Sequence, residues 1–163
     1  QSLNTHRLLR KTYTIIYKIL YFLWRCYLRV FVKETFGSQV AVWHKDKILL
    51  VKTSYRNYYS LPGGYLKKME RPIVGACREL LEETGIQTNH EQLSLKCQLK
   101  TTHSCHISHD FIYEYQHSGG DAPQPTIDNK EIISAHFFNL ADIKTMLLDE
   151  NAIKYLIKKG VHT

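Results

Sequence analysis

The sequence lacks the features on which cross-linked proteins depend. It contains 4 cysteines, but no two are in the C-x-x-C spacing, so neither a structural zinc site nor a disulfide framework is expected. This cysteine usage favours a reducing, cytoplasmic setting. No internal repeat is present, and 163 residues are enough to bury about two-thirds of the unfolded surface. A single globular domain of ordinary composition is therefore expected.

A long hydrophobic run is also lacking in residues 1–36. Their longest uncharged stretch is six residues, far short of the roughly 20 that span a bilayer. A signal peptide is not expected, because basic residues continue through the apolar part. Basic and apolar residues instead recur on opposite sides of a helix. This predicts an amphipathic helical extension over residues 1–36, ahead of a domain over residues 37–163. The basic stripe comprises Arg7, Lys11, Lys18, Arg25 and Arg29, and the apolar face comprises Ile15, Ile16, Ile19, Phe22, Leu23, Cys26, Tyr27 and Val30.

Three interpretations of this extension remain open. The helix could pack on its own domain or pair two subunits into a homodimer; it could lie on an anionic membrane as a peripheral contact; or it could contact nucleic acid. Its apolar face is wider than one face of a domain requires, which favours dimerisation or membrane contact. No DNA-binding motif is present.

Acidic residues are in the minority, with 15 Asp and Glu against 22 Lys and Arg and a net charge of +7. Such a balance favours polyanionic partners, namely nucleotides, RNA ends or an acidic membrane surface. Three of the few acidic residues nevertheless lie together. Glu79, Glu82 and Glu83 have the spacing i, i+3, i+4, which puts them within an arc of about 100° on a helix.

Like charges at this spacing repel one another and weaken a helix. Carboxylate oxygens are the ligands that hard divalent cations prefer, so the cluster predicts a metal site. Pro72 suits the first turn of the helix and Gly85 its C-terminal end. Before it, Gly63 and Gly64 form a turn whose carbonyls can face a bound ion. The apolar stripe predicted to pack in the core comprises Ile73, Cys77, Leu80 and Leu81.

The stretch from residue 64 to residue 86 resembles the Nudix box of the Nudix hydrolases, G-x5-E-x7-R-E-U-x-E-E-x-G-U, in which U is a bulky aliphatic residue. The resemblance implies an α/β/α sandwich with a mixed β-sheet over roughly residues 37–149. The chain departs from many members just before Glu70, where Lys68 and Met69 replace an acidic residue and a glycine. All fixed positions of the box are filled, by Gly64, Glu70, Arg78, Glu79, Leu80, Glu82, Glu83, Gly85 and Ile86.

The resemblance also implies the chemistry, which is metal-assisted hydrolysis of a nucleoside diphosphate linked to another group. The expected cation is Mg²⁺, with Mn²⁺ as a substitute. Glu79 is expected to bind the metal or to take a proton from the attacking water, and Arg78 to orient Glu79 or Glu82. Glu70 is expected to be structural. The implied metal ligands are the carbonyl of Gly63 and the carboxylates of Glu79, Glu82, Glu83 and Glu131.

The box does not identify the substrate. Motifs that indicate coenzyme A, ADP-ribose, dinucleoside polyphosphate or NADH derivatives are absent from the positions where they are expected. Lys52 and Arg56 are candidates for holding phosphate, and Tyr65 is a candidate either for stacking on a base or for packing. Two alternatives remain. One is hydrolysis of the 5′ end of RNA, and the other is a catalytically weak binding module that the N-terminal helix recruits to a membrane or partner.

The strands of the sheet are predicted near residues 38–44, 47–53, 93–103, 108–117 and 131–138. Helices are predicted over residues 72–84, 140–149 and 150–159.

Overall fold

The computed structural model describes residues 2–103 and 106–161, except the side chains of residues 2–10, 29, 30 and 103. Cys105 therefore lies outside the described residues. In chain order the elements are α1 (Ser2–Phe31), β1 (Glu34–His44), β2 (Lys47–Thr53), β3 (Gly63–Tyr65), α2 (Pro72–Thr84), β4 (Leu93–His103), β5 (His106–His117), β6 (Ile132–Asn139), α3 (Leu140–Ile143) and α4 (Glu150–Lys158).

β1 is the central strand of a mixed sheet. The strands lie in the order β4–β5–β1–β2–β6, and the short β3 also pairs with β1. β1 runs parallel to β5 from the Glu34–Ile107 pair to the His44–His117 pair, whereas its pairings with β2 and β3 are antiparallel. Neighbours on both edges bury this strand, which fits its largely apolar sequence. Because β1 begins at Glu34, it includes the last residues of the predicted extension.

Both faces of the sheet carry a helix, because successive side chains of a strand point to opposite sides. Val40 and Val42 of β1 face α2, where they share a buried cluster with Ala76 and Leu80. The predicted α/β/α sandwich with a mixed sheet, preceded by a helix, is confirmed. The second buried cluster lies between the sheet and α4 and includes Ala41, Trp43, Ile48, Leu50, Ile112, Ala152, Tyr155 and Leu156.

Helix α2 begins and ends where its sequence predicts. A proline occupies its first turn, and Gly85 ends it in the left-handed conformation, with φ at 69°. The predicted core stripe is correct for Ile73, Cys77 and Leu80, which pack in the cluster beneath the sheet. The stripe is wrong for Leu81, which is 48% exposed. Leu81 lies 100° around the helix from Leu80, beyond the arc that faces the sheet.

The helix predicted over residues 140–149 is much shorter, because α3 ends at Ile143. Beyond it the chain turns back, and Leu148 forms a parallel bridge with Tyr59. The Tyr59 N–H donates to the Leu147 carbonyl at 2.8 Å, and the Asp149 N–H donates to the Tyr59 carbonyl at 2.9 Å. These tertiary hydrogen bonds outweigh the local helical propensity.

Helix α1 packs one face on the domain through a stripe that ends at the buried Leu28. Its opposite face is exposed over most of its length. Among the helices of the described residues, none is long and apolar enough to cross a membrane.

Asp149 caps the N-terminus of α4, where its carboxylate accepts a hydrogen bond from the Ala152 N–H at 3.0 Å. Burial raises the pKa of this carboxyl to about 6, against the opposing effects of the cap hydrogen bond and of Arg56. The folded pKa lies above the unfolded one, so the folded state binds the extra proton between them. Through this group, the free energy of unfolding falls as the pH rises from about 4 to about 6.

We expect Asp149→Asn to keep the cap and remove this pH dependence, because Asn caps helices about as well as Asp. Near neutral pH the variant should melt about 3 °C above the unmodified protein, and the difference should shrink towards about pH 4. Thermal unfolding followed by circular dichroism across this range measures the effect. Asp142→Asn, which removes an exposed carboxylate at the start of α3, is the matched control. A difference for Asp149→Asn that stays constant with pH would contradict the prediction.

Candidate active site

A glycine turn leads into β3 and approaches its neighbours too closely for any side chain. Gly63 has φ at 151°, and a Cβ on it would lie 2.3 Å from the carbonyl oxygen of Ser38. Gly64 pairs with Ser38 across the β1–β3 ladder, and a Cβ on Gly64 would lie 2.8 Å from the carboxyl carbon of Glu79. The two glycines therefore let this turn lie directly against the acidic face of α2.

Arg78 joins the acidic face of α2 to the segment that precedes it. Its Nε and Nη2 donate to the two carboxylate oxygens of Glu70, each at 2.8 Å. Its Nη1 donates to Glu79 at 2.6 Å and to Glu82 at 3.1 Å, and its Nη2 also donates to the Tyr65 carbonyl at 3.2 Å. A planar guanidinium can satisfy such a set, whereas a lysine ammonium cannot match its fork geometry. Arg78 was predicted to orient Glu79 or Glu82, and it donates a hydrogen bond to each of them.

Glu70 fixes the loop before α2. Its hydrogen bond from Arg78 lowers the pKa of Glu70 to about 2, against the effect of burial. The Lys67 N–H donates to the same carboxylate at 2.8 Å and also lowers the pKa of Glu70. Glu70 is therefore ionised and occupied by partners within the protein. This geometry supports the structural role expected of it.

Glu83 lies beneath the glycine turn, where its Oε2 accepts a hydrogen bond from the Gly63 N–H at 2.8 Å. Burial raises the pKa of Glu83 to about 8. The neighbouring carboxylates of Glu79 and Glu131 raise it as well, while the Gly63 N–H and Arg56 oppose them. The fold thus places this carboxylate where its negative charge is poorly compensated.

The negative charge of Glu79 is also poorly compensated. Burial raises the pKa of Glu79, Arg78 lowers it, and Glu82 and Glu131 raise it by repulsion. Glu131 joins the cluster from the residue before β6, and it accepts a hydrogen bond from the Tyr55 hydroxyl at 3.0 Å. Glu131 is close enough to Glu79 and Glu83 to raise the pKa of both carboxyls, and its role as a metal ligand stays a prediction.

The chemistry of this cluster fits a hard divalent cation. Within the described parts of the chain, no group of three or more His, Cys, Asp or Glu side chains is arranged so that it could hold a metal ion. The carboxylate oxygens instead accept hydrogen bonds from Arg78, from the Gly63 N–H and from the Tyr55 hydroxyl. Oxygen donors with excess negative charge are what Mg²⁺ and Mn²⁺ select. Glu82, whose side chain is 55% exposed, is the most accessible of the predicted ligands on α2.

Arg56, a predicted phosphate-binding residue, lies beside the cluster in an aromatic cage. Its guanidinium carbon is 5.1 Å from the ring centre of Tyr21, 5.4 Å from that of Tyr55 and 5.8 Å from that of Tyr58. Its Nε is buried and has no hydrogen-bond partner among the described residues. The cage holds a positive charge close enough to Glu83 to affect the pKa of that carboxyl.

The other two predicted substrate residues lie in different places. Tyr65 is 43% exposed at the end of β3, and its carbonyl accepts the hydrogen bond from Arg78. Lys52 lies on β2 with the parity of Leu50, which faces α4, and its Nζ is 5.4 Å from the ring centre of Tyr59. Lys52 therefore lies on the opposite face of the sheet from α2, and its contact with substrate stays a prediction.

Sequence analysis missed the aromatic residues of α1 that reach this site. The ring centre of Tyr21 is 4.8 Å from that of Tyr55, and the ring centre of Tyr17 is 6.3 Å from the same ring. Trp24 meets Tyr65 edge-on, with 5.8 Å between ring centres. These positions follow one helical stripe, so the spacing shows that they share a face of α1 but not what that face packs against.

A cavity of about 550 Å³ opens between α1, the start of β1 and the loop before α2. Its volume is within the range of sites for small molecules. Two of its lining residues, Tyr65 and Glu70, accept hydrogen bonds from Arg78, which also binds Glu79 and Glu82. Other side chains that line it are Trp24, Tyr27, Lys67, Lys68 and Phe111.

Comparison with known proteins agrees with this arrangement. A sequence profile described as the NUDIX domain matches residues 37–159. No curated protein sequence matches the chain.

Several solved structures share the fold at low sequence identity. A MutT NUDIX hydrolase from Burkholderia pseudomallei is 20% identical with a TM-score of 0.66, and the match covers 80% of this chain and 99% of that one. The NUDIX domain of NrtR from Shewanella oneidensis, in complex with ADP ribose, is 19% identical with a TM-score of 0.63, covering 78% and 86%. A bifunctional NMN adenylyltransferase/ADP ribose pyrophosphatase from Francisella tularensis, in complex with AMP and a Mn ion, is 23% identical with a TM-score of 0.62, covering 99% and 50%.

At such identities the solved structures show the fold, whereas the profile match over most of the chain shows the family. The profile includes the acidic helix, the glycine turn and Glu131. The chain therefore belongs to the Nudix hydrolase family, which confirms the prediction of a Nudix-type pyrophosphohydrolase.

Proposed function

We propose that this protein hydrolyses a pyrophosphate bond in a nucleoside diphosphate linked to another group, with Mg²⁺ as the cofactor and Mn²⁺ as a substitute. The single observation that carries the proposal is the cluster of Glu79, Glu82, Glu83 and Glu131. These carboxylates come from two distant segments, and they act on one another: Glu82 and Glu131 raise the pKa of Glu79, and Glu79 and Glu131 raise that of Glu83. The cytoplasmic setting stays a prediction.

Two of the similar structures support the class of substrate and cofactor. The Shewanella oneidensis domain is in complex with ADP ribose, and the Francisella tularensis protein is in complex with AMP and a Mn ion. Both ligands contain an adenine nucleotide, and manganese prefers the same oxygen ligands as magnesium. A nucleotide with a diphosphate linkage is thus the substrate class that we infer for this chain.

The proposed ligands are the carbonyl of Gly63 and the carboxylates of Glu79, Glu82, Glu83 and Glu131. Bound there, Mg²⁺ would offset the negative charge of the pyrophosphate and lower the pKa of a bound water. The protein holds these carboxylates in position through the hydrogen bonds of Arg78 to Glu79 and Glu82 and of the Gly63 N–H to Glu83.

In the reaction, the oxygen of a water molecule forms a bond to phosphorus and the bridging P–O bond breaks. We assign Glu79 to accept the proton released by this water, because burial already raises the pKa of its carboxyl. Arg78 holds Glu79 in place through Nη1, and its second bond to Glu82 ties both carboxylates to one guanidinium. We assign Arg56, whose buried Nε has no hydrogen-bond partner among the described residues, to hold a phosphate oxygen.

Removing either of two proposed ligands tests the metal site. We expect Glu82→Gln and Glu83→Gln each to lower turnover at least about a hundredfold, since a bound metal ion supplies several kcal/mol of charge stabilisation. Release of phosphate-containing products with Mg²⁺ or Mn²⁺ measures this, and circular dichroism checks that both variants fold. Glu91→Gln, an exposed change in the turn before β4, is the control and should retain full activity. Normal turnover in both variants would contradict the assigned roles.

Gly64→Ala tests the close approach between the turn and α2. The added Cβ would lie 2.8 Å from the carboxylate of Glu79, so that side chain must move. We expect turnover to fall by about tenfold to a hundredfold, because a displacement of about 1 Å at a catalytic group has effects of that size. Gly120→Ala is the matched control, since no atom lies within 4 Å of its added Cβ. Equal turnover for the two variants would show that the glycine turn does not position Glu79.

The substrate is best found by a direct screen. The unmodified protein would be incubated with ADP-ribose, dinucleoside polyphosphates, NADH, coenzyme A and RNA carrying a 5′ triphosphate, each with Mg²⁺ and with Mn²⁺. Cleavage that Glu83→Gln abolishes would support the proposal and name the substrate. Absence of cleavage throughout, together with nucleotide binding by calorimetry, would instead favour the binding-module alternative.

A further inference from the structure

Helix α1 has two apolar stripes, and only one of them contacts the domain. The inward stripe contains Tyr17, Tyr21 and Trp24, which pack on the loops around the candidate active site. An outward stripe repeats the same spacing two positions earlier, which is 200° around the helix. Its side chains therefore point away from the domain.

The outward stripe is exposed although it consists of large apolar residues. Ile15 is 57% exposed, Ile19 54%, Phe22 65% and Leu23 56%. Ile16 and Cys26 extend the same face. Scattered apolar residues on a surface are ordinary, but a continuous stripe along a helix is typical of an interaction site.

The charges beside this stripe have a single sign. Helix α1 contains no Asp or Glu between Ser2 and Phe31. Lys11, Lys18 and Arg25 are exposed along one flank of the apolar stripe at seven-residue spacing. A partner for this face must therefore supply negative charge along with an apolar interior.

The loop before α2 lies next to α1. Lys67, Lys68 and Met69 line the cavity together with Trp24 and Tyr27 of α1. Met69 is 93% exposed. This is the loop in which the chain departs from many family members, and the departure places two cations and an exposed apolar side chain next to the helix.

A second copy of the chain does not supply the negative charge that a partner of this face must carry. In a two-fold dimer the same surface patch meets itself, so the basic flank of α1 would meet apolar or basic side chains of the other α1. An anionic bilayer supplies both requirements, because phosphate groups face the lysines and arginines while acyl chains accept the apolar stripe.

We propose that α1 docks by its outward stripe on the surface of an anionic phospholipid bilayer, with its axis parallel to the membrane plane. The apolar side chains enter the boundary between headgroups and acyl chains. Lys18 and Arg25 contact lipid phosphates, while the inward stripe keeps the domain attached to the helix.

Vesicle sedimentation with the full chain tests this proposal. The probe is a vesicle of phosphatidylcholine with about one quarter phosphatidylglycerol, compared with pure phosphatidylcholine. We expect binding to the anionic vesicles, much weaker binding to the neutral ones, and loss of binding as salt screens the charges.

Two pairs of substitutions separate the charged from the apolar contribution. Each basic residue near such a surface contributes about fivefold in affinity, so Lys18→Glu with Arg25→Glu should weaken binding at least about 25-fold. Ile19→Asp with Leu23→Asp should remove it. The matched control combines Lys144→Glu with Ile157→Asp, at exposed sites on α3's end and on α4.

The control variant should bind as the unmodified protein does. Equal binding by Ile19→Asp with Leu23→Asp would overturn the proposal. So would a lack of binding by the unmodified protein, whether or not light scattering then shows a dimer that this double variant dissociates. Hydrolysis of a soluble nucleotide should be the same in all these variants, so failure of membrane docking is distinguishable from failure of the proposed function.

Discussion

The guanidinium of Arg78 is the contact on which the rest of the candidate site depends. It binds Glu70 in the loop, the carbonyl of Tyr65 in β3, and both Glu79 and Glu82 on α2. Like-charged side chains on one helical face would otherwise turn away from each other. One rigid cation therefore fixes the spacing of two carboxylates and joins them to the glycine turn.

Around this contact the chain accepts several locally unfavourable features. Glu83 is a buried carboxylate whose pKa is raised to about 8, and burying such a charge destabilises a fold. Gly63 adopts a conformation that L side chains rarely take, in a turn that closes on α2. Where a chain departs from local rules several times in one place, the departures are typical of a functional site. Here the departures occur together, at the glycine turn and on the acidic face of α2.

The sequence predicts what short-range patterns determine. The strands, the ends of α2 and the acidic face follow from neighbouring residues, and the box identified the family to which the chain belongs. Contacts between distant segments were harder to predict from the sequence. The helix predicted over residues 140–149 is shorter because Tyr59 and Leu148 form a bridge. The packing of Tyr21 on Tyr55 depends on where α1 lies on the domain, which the sequence pattern of α1 does not specify.

The parallel pairing of β1 with β5 also limits how the molecule can assemble. Glu34 and Ile107 are partners in the central ladder although more than 70 positions separate them. During synthesis β1 emerges early and can form its hairpin with β2, but its other edge stays open until β5 has left the ribosome. Loop closure over such a separation slows folding, and an open strand edge invites aggregation. We therefore expect the pace of translation between these strands to affect how much native protein a cell obtains.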